Sequence, residues 1–185
     1  MVSLTTPVCD FNAPAIDFEL PDAYGKMWNL EKAKGKNGTL IAFICNHCPY
    51  IKAILPRFVE DARKLKEEFS VNTVAIMSND QSLYAEDSTE NMIRISEAMD
   101  FSFPYLIDEN QEVAKAYGAV CTPDFFGLSK DMTLQYRGRF DASRKETAPE
   151  GTRRDLFEAM KQVAQTGKGP LEQIPSMGCS IKWKE

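Results

Sequence analysis

Apolar positions follow two different rhythms in the first half of the chain. Residues 39–44 form a continuous apolar run of strand length, which is typical of a central strand buried on both faces. Residues 71–77 form a second such run. Between them, over 49–69, apolar residues recur at spacings of three and four, which predicts a long amphipathic helix. A helical crossover makes the two strands parallel, and Pro56 is predicted to bend the helix without ending it.

Smaller elements surround this unit. They are a β-hairpin within 13–30, a helix over about 88–99 capped by Asp87 or Ser88, a short strand at 105–107, a helix at 111–117, an antiparallel hairpin of 125–128 and 134–140, and a final helix over about 152–165 whose Thr152 and Asp155 are spaced like a capping box. Glycines and prolines predict an irregular tail over about 167–185. The order predicts an α/β fold in one domain, 1–185, with a central mixed β-sheet flanked by helices, an N-terminal hairpin and an inserted helix.

Composition narrows the possible partners. The 185 residues carry a net charge of −5, and no dense basic run is present, so nucleic acid and anionic membranes are not expected partners. No stretch approaches the roughly 18 apolar residues of a membrane span, and the first residues lack the pattern of a signal peptide. A cytoplasmic protein is therefore expected. Five cysteines are odd in number and too few for a disulfide scaffold of this size, which favours reactive thiols.

The pair Cys45 and Cys48 carries the candidate chemistry. A Cys-x-x-Cys motif alone also occurs in zinc sites and structural disulfides. Here it directly follows a predicted buried strand and opens a helix, where unpaired N–H groups and the helix dipole favour a thiolate. We therefore expect Cys45 to be the nucleophilic thiolate and Cys48 to be the resolving cysteine, with a redox-active Cys45–Cys48 disulfide and no bound cofactor.

Three neighbouring residues are candidates for tuning the pair. Asn46 and His47 lie between the cysteines, and Pro49 begins the helix. A protonated His47 would lower the pKa of Cys45 further and make the couple more oxidising than that of thioredoxin. The alternative is that His47, the only histidine in the chain, is a solvent-exposed turn residue.

The other three cysteines and two arginines are further candidates for the site. Cys121 and Cys179 are candidates for additional redox thiols, although a small buried hydrophobe and an inert tail cysteine are the alternatives. Cys9 is predicted to be incidental. Arg137 and Arg139, on the predicted hairpin, are expected to be solvated surface groups.

Three segments resemble the thioredoxin-like superfamily, in its redoxin or AhpC/TSA (peroxiredoxin-like) branch. The sequence over 13–26 is similar to the opening of that branch, Cys45-Asn-His-Cys-Pro-Tyr50 is similar to the motif of a peroxiredoxin-like subgroup, and 178–183 is similar to the ending of that subgroup. The resemblance covers roughly residues 11–165. It implies that Pro123 is a cis-proline facing the cysteine pair and that the backbone of Thr122 binds an incoming substrate chain.

The chain also departs from its nearest families. Peroxiredoxins have a proline and a threonine where this chain has Gly38 and Ala42, and thioredoxin has an aspartate and a tryptophan where it has Thr39 and Ile44. We therefore expect a thiol-disulfide oxidoreductase whose partners are protein or small-molecule disulfides and thiols, with a thiol reductant such as thioredoxin or glutathione. The alternatives are an antioxidant thiol peroxidase that uses the same cysteines on a hydroperoxide, and a zinc or copper(I) site built from the cysteines at 45, 48, 121 and 179 with His47.

Overall fold

A computed structural model describes residues 2–185, and Met1, the first residue of the predicted domain, lies outside the described part. Ten strands and six helices follow one another along it. The strands are β1 (Ser3–Thr5), β2 (Glu19–Pro21), β3 (Met27–Asn29), β4 (Gly38–Phe43), β5 (Val71–Met77), β6 (Tyr105–Ile107), β7 (Cys121–Thr122), β8 (Asp124–Ser129), β9 (Leu134–Tyr136) and β10 (Met177–Ser180). The helices are α1 (Leu30–Ala33), α2 (Pro49–Lys52), α3 (Leu55–Phe69), α4 (Thr89–Ala98), α5 (Glu112–Tyr117) and α6 (Asp155–Thr166).

The central sheet has five strands in the order β6-β5-β4-β8-β9. β4 pairs in parallel with β5, with Gly38 opposite Val71 and Phe43 opposite Ile76, and it pairs in antiparallel fashion with β8 on its other side. The parallel pair, the mixed sheet, the N-terminal β2–β3 hairpin and the β8–β9 hairpin were all predicted and are confirmed. α4 also begins where expected, with Ser88 as its N-cap.

Both faces of this sheet are covered, because the side chains of β4 alternate between two apolar clusters. Leu40 and Ala42 point into the cluster that includes buried residues of α3 and α6, and Ile41 and Phe43 point into the cluster on the opposite face. All four side chains are fully buried. Burying a large apolar side chain stabilises a fold by about 1.5–3 kcal/mol, so this strand is a main source of stability.

The long helix predicted over 49–69 is interrupted, and the prediction of one bent helix was wrong. α2 ends at Lys52, and α3 begins at Leu55 after Ile54, its N-cap. A proline inside a helix clashes with the carbonyl four residues earlier, whereas in the first turn its missing N–H costs nothing. The chain therefore restarts the helix so that Pro56 lies in the first turn of α3.

Two further boundaries differ from the prediction. α6 begins at Asp155 with Arg154 as its N-cap and no side-chain cap, so Thr152 is not part of a capping box. The Thr152 hydroxyl instead donates to the carbonyl of Pro149. β9 ends at Tyr136, before the predicted limit of the hairpin at 140.

The tail is not irregular throughout, which corrects a second prediction. β10 lies within it and is the middle strand of a second sheet, in the order β1-β10-β7. Its partners are both remote along the chain: Cys179 lies opposite Ser3 on one side and opposite Thr122 on the other. This sheet joins the N-terminal and C-terminal segments to the strand that precedes Pro123.

Among the described residues, no helix is both long enough and apolar enough to cross a membrane.

Candidate active site

The two cysteines of the motif lie where the central strand gives way to helix. Cys45 follows β4 by two residues, and Cys48 is the N-cap of α2 with Pro49 in the first turn. An N-cap residue lies against the unpaired N–H groups of the first turn and the positive end of the helix dipole. Both cysteines are reduced and buried. The sequence predicted both sulfurs at the helix N-terminus, and the structure gives that position to Cys48.

Thr122 contacts both sulfurs. The Thr122–Pro123 peptide bond is cis, as the resemblance implied. Thr122 Oγ1 lies 3.2 Å from Cys45 Sγ, and the carbonyl oxygen of Thr122 lies 3.2 Å from Cys48 Sγ. The cysteine pair and the predicted cis-proline segment are therefore brought together across 74 or more residues of chain.

A third sulfur completes the cluster. Cys179 Sγ lies 2.9 Å from Cys48 Sγ, because β10 pairs with β7 and places Cys179 opposite Thr122. The backbone of Thr122, which the resemblance assigned to an incoming substrate chain, is thus paired with the C-terminal strand of the same molecule.

The pKa values of the three thiols diverge. Burial, the Cys48 thiol and the Asp87 charge raise the pKa of Cys45 well above its ordinary value. A hydrogen bond from Cys45, together with one from Cys179, lowers the pKa of Cys48 to about 5, although burial opposes that shift. Burial and the contact with Cys48 raise the pKa of Cys179 to about 12. In this geometry the lowered pKa belongs to Cys48, whereas the sequence had suggested Cys45.

Asp87 holds the loop between the cysteines in place. Its Oδ1 accepts hydrogen bonds from the backbone N–H groups of Asn46 and His47, at 2.8 and 3.1 Å. Its Oδ2 accepts one from Asn79 Nδ2 at 3.0 Å and lies 2.6 Å from His47 Nδ1. Burial alone would raise the pKa of Asp87, but the hydrogen bonds from His47 and Asn79 lower it below its usual value. This buried carboxylate therefore remains charged beside the cysteine pair.

His47 is buried, so the interpretation as an exposed turn residue was wrong. Its ring stacks on that of Tyr84, with centroids 3.8 Å apart and parallel planes. Asn46 is fixed on both sides of its amide: Nδ2 donates to the carbonyl of Glu86, and Oδ1 accepts from the Tyr105 hydroxyl. Asn46 and His47, two of the three residues expected to tune the cysteines, are thus held with Asp87 in a polar shell, while Pro49 lies in the first turn of α2.

The remaining two cysteines, Cys121 and Cys9, have other hydrogen-bond partners, and the role of Cys121 as an additional redox thiol stays a prediction. Cys121 is buried, its thiol donates to the carbonyl of Pro123 at 3.6 Å, and burial raises its pKa. Cys9 is half-buried, and burial raises its pKa to about 11.

The two arginines of the predicted hairpin form ion pairs. Arg137 is buried against Asp124, at 3.0 Å, which corrects the expectation of a solvated side chain. Arg139 pairs with Asp155 at 2.7 Å. Both guanidinium groups therefore already have carboxylate partners.

The four-cysteine metal site is not assembled in this arrangement. Within residues 2–185, the group of metal-binding side chains that meets is Cys45, His47 and Asp87, with ligand atoms within 4.8 Å of one another. The other three cysteines of the proposed metal site, Cys48, Cys121 and Cys179, lie outside that group. Hydrogen bonds already hold both oxygens of Asp87.

Sequence reasoning missed the role of Asp87. It was considered only as a helix cap, yet its carboxylate binds the loop from 40 residues away. No local pattern distinguishes this aspartate from the other acidic residues near it. Asn79, two residues beyond the end of β5, is the second member of the shell that was missed.

The fold and the paired thiols define a thioredoxin-like oxidoreductase. The chain belongs to the AhpC/TSA family, which matches residues 11–139. Among the curated relatives is the thiol-disulfide oxidoreductase ResA of Bacillus thuringiensis subsp. konkukian, which is 26% identical over 149 residues and is aligned over 80% of this chain and 76% of its own length.

Solved structures agree with the fold. An uncharacterized conserved protein from Geobacillus kaustophilus is 40% identical, with a TM-score of 0.92, over 100% of this chain and 97% of that chain. A thiol:disulfide interchange protein of the thioredoxin family from Chlorobium tepidum TLS is 17% identical, with a TM-score of 0.62, over 83% of this chain and 97% of that chain. The second likeness bears on the fold alone.

Proposed function

We propose that the protein exchanges thiols and disulfides through a Cys45–Cys48 couple, with Cys45 as the attacking sulfur and Cys48 as the resolving sulfur. The observation that carries the proposal is the contact of both sulfurs with one residue, Thr122, next to the cis-proline. Membership in the AhpC/TSA family and the similarity to ResA support the same chemistry.

The pKa values of the two thiols depend on each other, and the sulfur that has lost its proton is the one that attacks. When the proton lies on Cys48, the thiol donates to the Thr122 carbonyl, and the Thr122 hydroxyl can donate to the Cys45 thiolate. Cys45 then attacks a substrate disulfide, forms a mixed disulfide and releases one substrate thiolate. Cys48 attacks Cys45 Sγ, forms the Cys45–Cys48 disulfide and releases the second thiolate, so the substrate gains the two electrons that the protein loses.

The couple is proposed to be more oxidising than thioredoxin. A thiolate with a lowered pKa stabilises the reduced form, as does Cys48 with a pKa of about 5. A protein or small-molecule disulfide is the proposed oxidising partner, and thioredoxin or glutathione is the proposed reductant. The cytoplasmic location remains a prediction from the sequence, which cell fractionation would test.

Reduction of insulin disulfides tests the proposed couple. Cys45→Ser and Cys48→Ser each remove one sulfur, so turnover is expected to fall to the level without enzyme. Cys9→Ser should keep full turnover, because Cys9 packs against the apolar cluster on the other face of the sheet. Cys45→Ser with full activity would contradict the assignment of the attacking thiol. Circular dichroism of each variant separates loss of chemistry from loss of fold.

Thiol peroxidase activity is the second candidate, because the family match favours it. Ala42, where peroxiredoxins have their threonine, lies fully buried in β4, and Arg137 and Arg139 already pair with carboxylates. The hydroxyl of Thr122 reaches Cys45 Sγ and is a candidate for orienting a peroxide. Under matched conditions, we expect the protein to consume hydrogen peroxide more slowly than it reduces insulin. The reverse order would make peroxide the better substrate.

A further inference from the structure

The sulfur atoms of Cys48 and Cys179 are in close contact. Their Sγ atoms lie 2.9 Å apart. Non-bonded heavy atoms ordinarily lie about 3.5–4.0 Å apart, and a disulfide bond is about 2.05 Å long. The two sulfurs therefore sit between contact and bonding distance without any rearrangement of the backbone.

The strand that carries Cys179 is fixed on both sides of it. Upstream, the Ser176 hydroxyl donates to the carbonyl of Pro123 at 2.9 Å. Downstream, the backbone N–H of Lys182 donates to Asn79 Oδ1, and the Lys182 carbonyl accepts from the N–H of Asp80. Gly178 also lies so close to Thr122 that a Cβ would overlap the carbonyl oxygen there. Backbone and side-chain hydrogen bonds on both sides of Cys179 thus hold it against the site.

We propose that Cys179 is a third redox thiol, which exchanges with the Cys45–Cys48 disulfide to form a Cys48–Cys179 disulfide. This inference rests on the proposed function. The Cys179 sulfur attacks Cys48 Sγ, the Cys45–Cys48 bond breaks, and Cys45 leaves with the bonding electron pair. Cys45 takes up the proton that Cys179 gives up. No net oxidation occurs, because one disulfide replaces another.

The charges of the cluster favour this exchange only after the first disulfide has formed. In the reduced protein the sulfur of Cys48 is one cause of the raised pKa of Cys179. Formation of the Cys45–Cys48 bond removes the charge from Cys48, while Lys182 and Lys145 continue to lower the pKa of Cys179. Cys179 therefore becomes a better nucleophile once its target is a disulfide. The exchange ties the C-terminal strand to the site and frees Cys45.

Peptide mapping tests the exchange directly. Trypsin releases Cys45 and Cys48 together in 37–52 and releases Cys179 in 169–182. The full-length protein is oxidised with glutathione disulfide, blocked with N-ethylmaleimide in acid, digested and analysed by mass spectrometry. We expect cross-linked 37–52 and 169–182 in the wild type and in Cys45→Ser, with at least a fivefold loss in Cys48→Ser. Cys9→Ser is the control and should match the wild type.

Two outcomes would overturn the inference in different ways. The first outcome combines two results: the wild type has an internal disulfide in 37–52 with Cys179 fully blocked, and Cys45→Ser has no cross-link. That outcome would leave the Cys45–Cys48 couple standing and remove Cys179 from the cycle. Absence of any disulfide in 37–52, together with no insulin reduction, would remove the proposed function and the exchange with it. Cys45→Ala repeats the variant measurement if the serine variant does not fold.

Discussion

The two larger sheets of the molecule differ in what holds them together. The central five-stranded sheet is built around β4, whose six residues are all buried. In the three-stranded sheet, β1 is exposed along its whole length, and β10 places Cys179 against Cys48. Apolar burial stabilises the first sheet, whereas main-chain pairing and a few polar contacts stabilise the second.

The central sheet is therefore expected to provide most of the stability, and the three-stranded sheet to control access to the cysteines. A sheet buried on both faces resists local opening, while a small sheet with an exposed edge strand belongs to the part of a protein that opens at low free-energy cost. Cys45 and Cys48 are both buried, so a substrate reaches them only after something moves. The three-stranded sheet, which contains Thr122 and has the exposed edge strand β1, is the region expected to move.

The largest expected effect is on stability in the central sheet. Leu40→Ala in β4 removes a fully buried side chain and leaves a cavity, so the free energy of unfolding should fall by about 2–5 kcal/mol. The matched variant Leu4→Ala in β1, where the leucine is 38% exposed, should cost less than about 1 kcal/mol. Urea denaturation followed by circular dichroism measures both. Equal losses would erase the contrast between the sheets.

Asp87→Asn should have the next largest effect, and the effect should depend on pH. In the variant, the side-chain NH2 group faces a hydrogen-bond donor at a place where a carboxylate oxygen of the wild type accepts a hydrogen bond. The free energy of unfolding should therefore fall by about 1–3 kcal/mol at neutral pH. The pKa of Asp87 is lowered in the folded protein, so its contribution is present above the unfolded pKa of about 3.9 and is lost as pH falls through the folded pKa.

Urea midpoints of wild type and Asp87→Asn between neutral and acidic pH measure this dependence. The two curves should converge in acid. The control is Glu86→Gln, an exposed neighbour, which should leave stability unchanged. A penalty for Asp87→Asn that stays constant down to acidic pH would contradict the lowered pKa.

The smallest effect concerns the docking of β10. Gly178→Ala places a Cβ against the Thr122 carbonyl, and a strain of at least about 1 kcal/mol would raise the population in which β10 is undocked at least about fivefold. Alkylation of Cys48 by iodoacetamide, followed in the peptide 37–52, should become faster by a similar factor. Ser180→Ala in the same strand is the control and should react like the wild type. An unchanged rate in Gly178→Ala would show that β10 does not cover the site.

The sequence predicts most of the central sheet because its signals are local. The apolar runs that became β4 and β5, and the helical spacing between them, each lie within about twenty residues. The break before Pro56 was missed because a proline is compatible both with a bend in one helix and with the first turn of a new one. The order of elements then limited the fold to an α/β arrangement with a mixed sheet.

The site was predicted only in part because much of it is assembled from distant segments. Cys45 and Cys48 lie at a strand–helix junction that local patterns can locate. Asp87 and Cys179 reach the same point through a buried carboxylate and a strand in a glycine-rich tail, and neither has a periodic signal. The lowered pKa of Cys48 follows from its contacts with Cys45 and Cys179, which the spacing of residues along the chain does not reveal.

The reduction potential of the isolated Cys45–Cys48 couple tests the central claim most directly. A variant with Cys9, Cys121 and Cys179 replaced by serine would be equilibrated with glutathione redox buffers, and its thiols counted at each ratio. A single two-electron couple is expected, at roughly −180 to −120 mV and thus more oxidising than thioredoxin at about −270 mV. Two thiols that remain reduced at every ratio, or that react independently, would contradict a redox couple at this site.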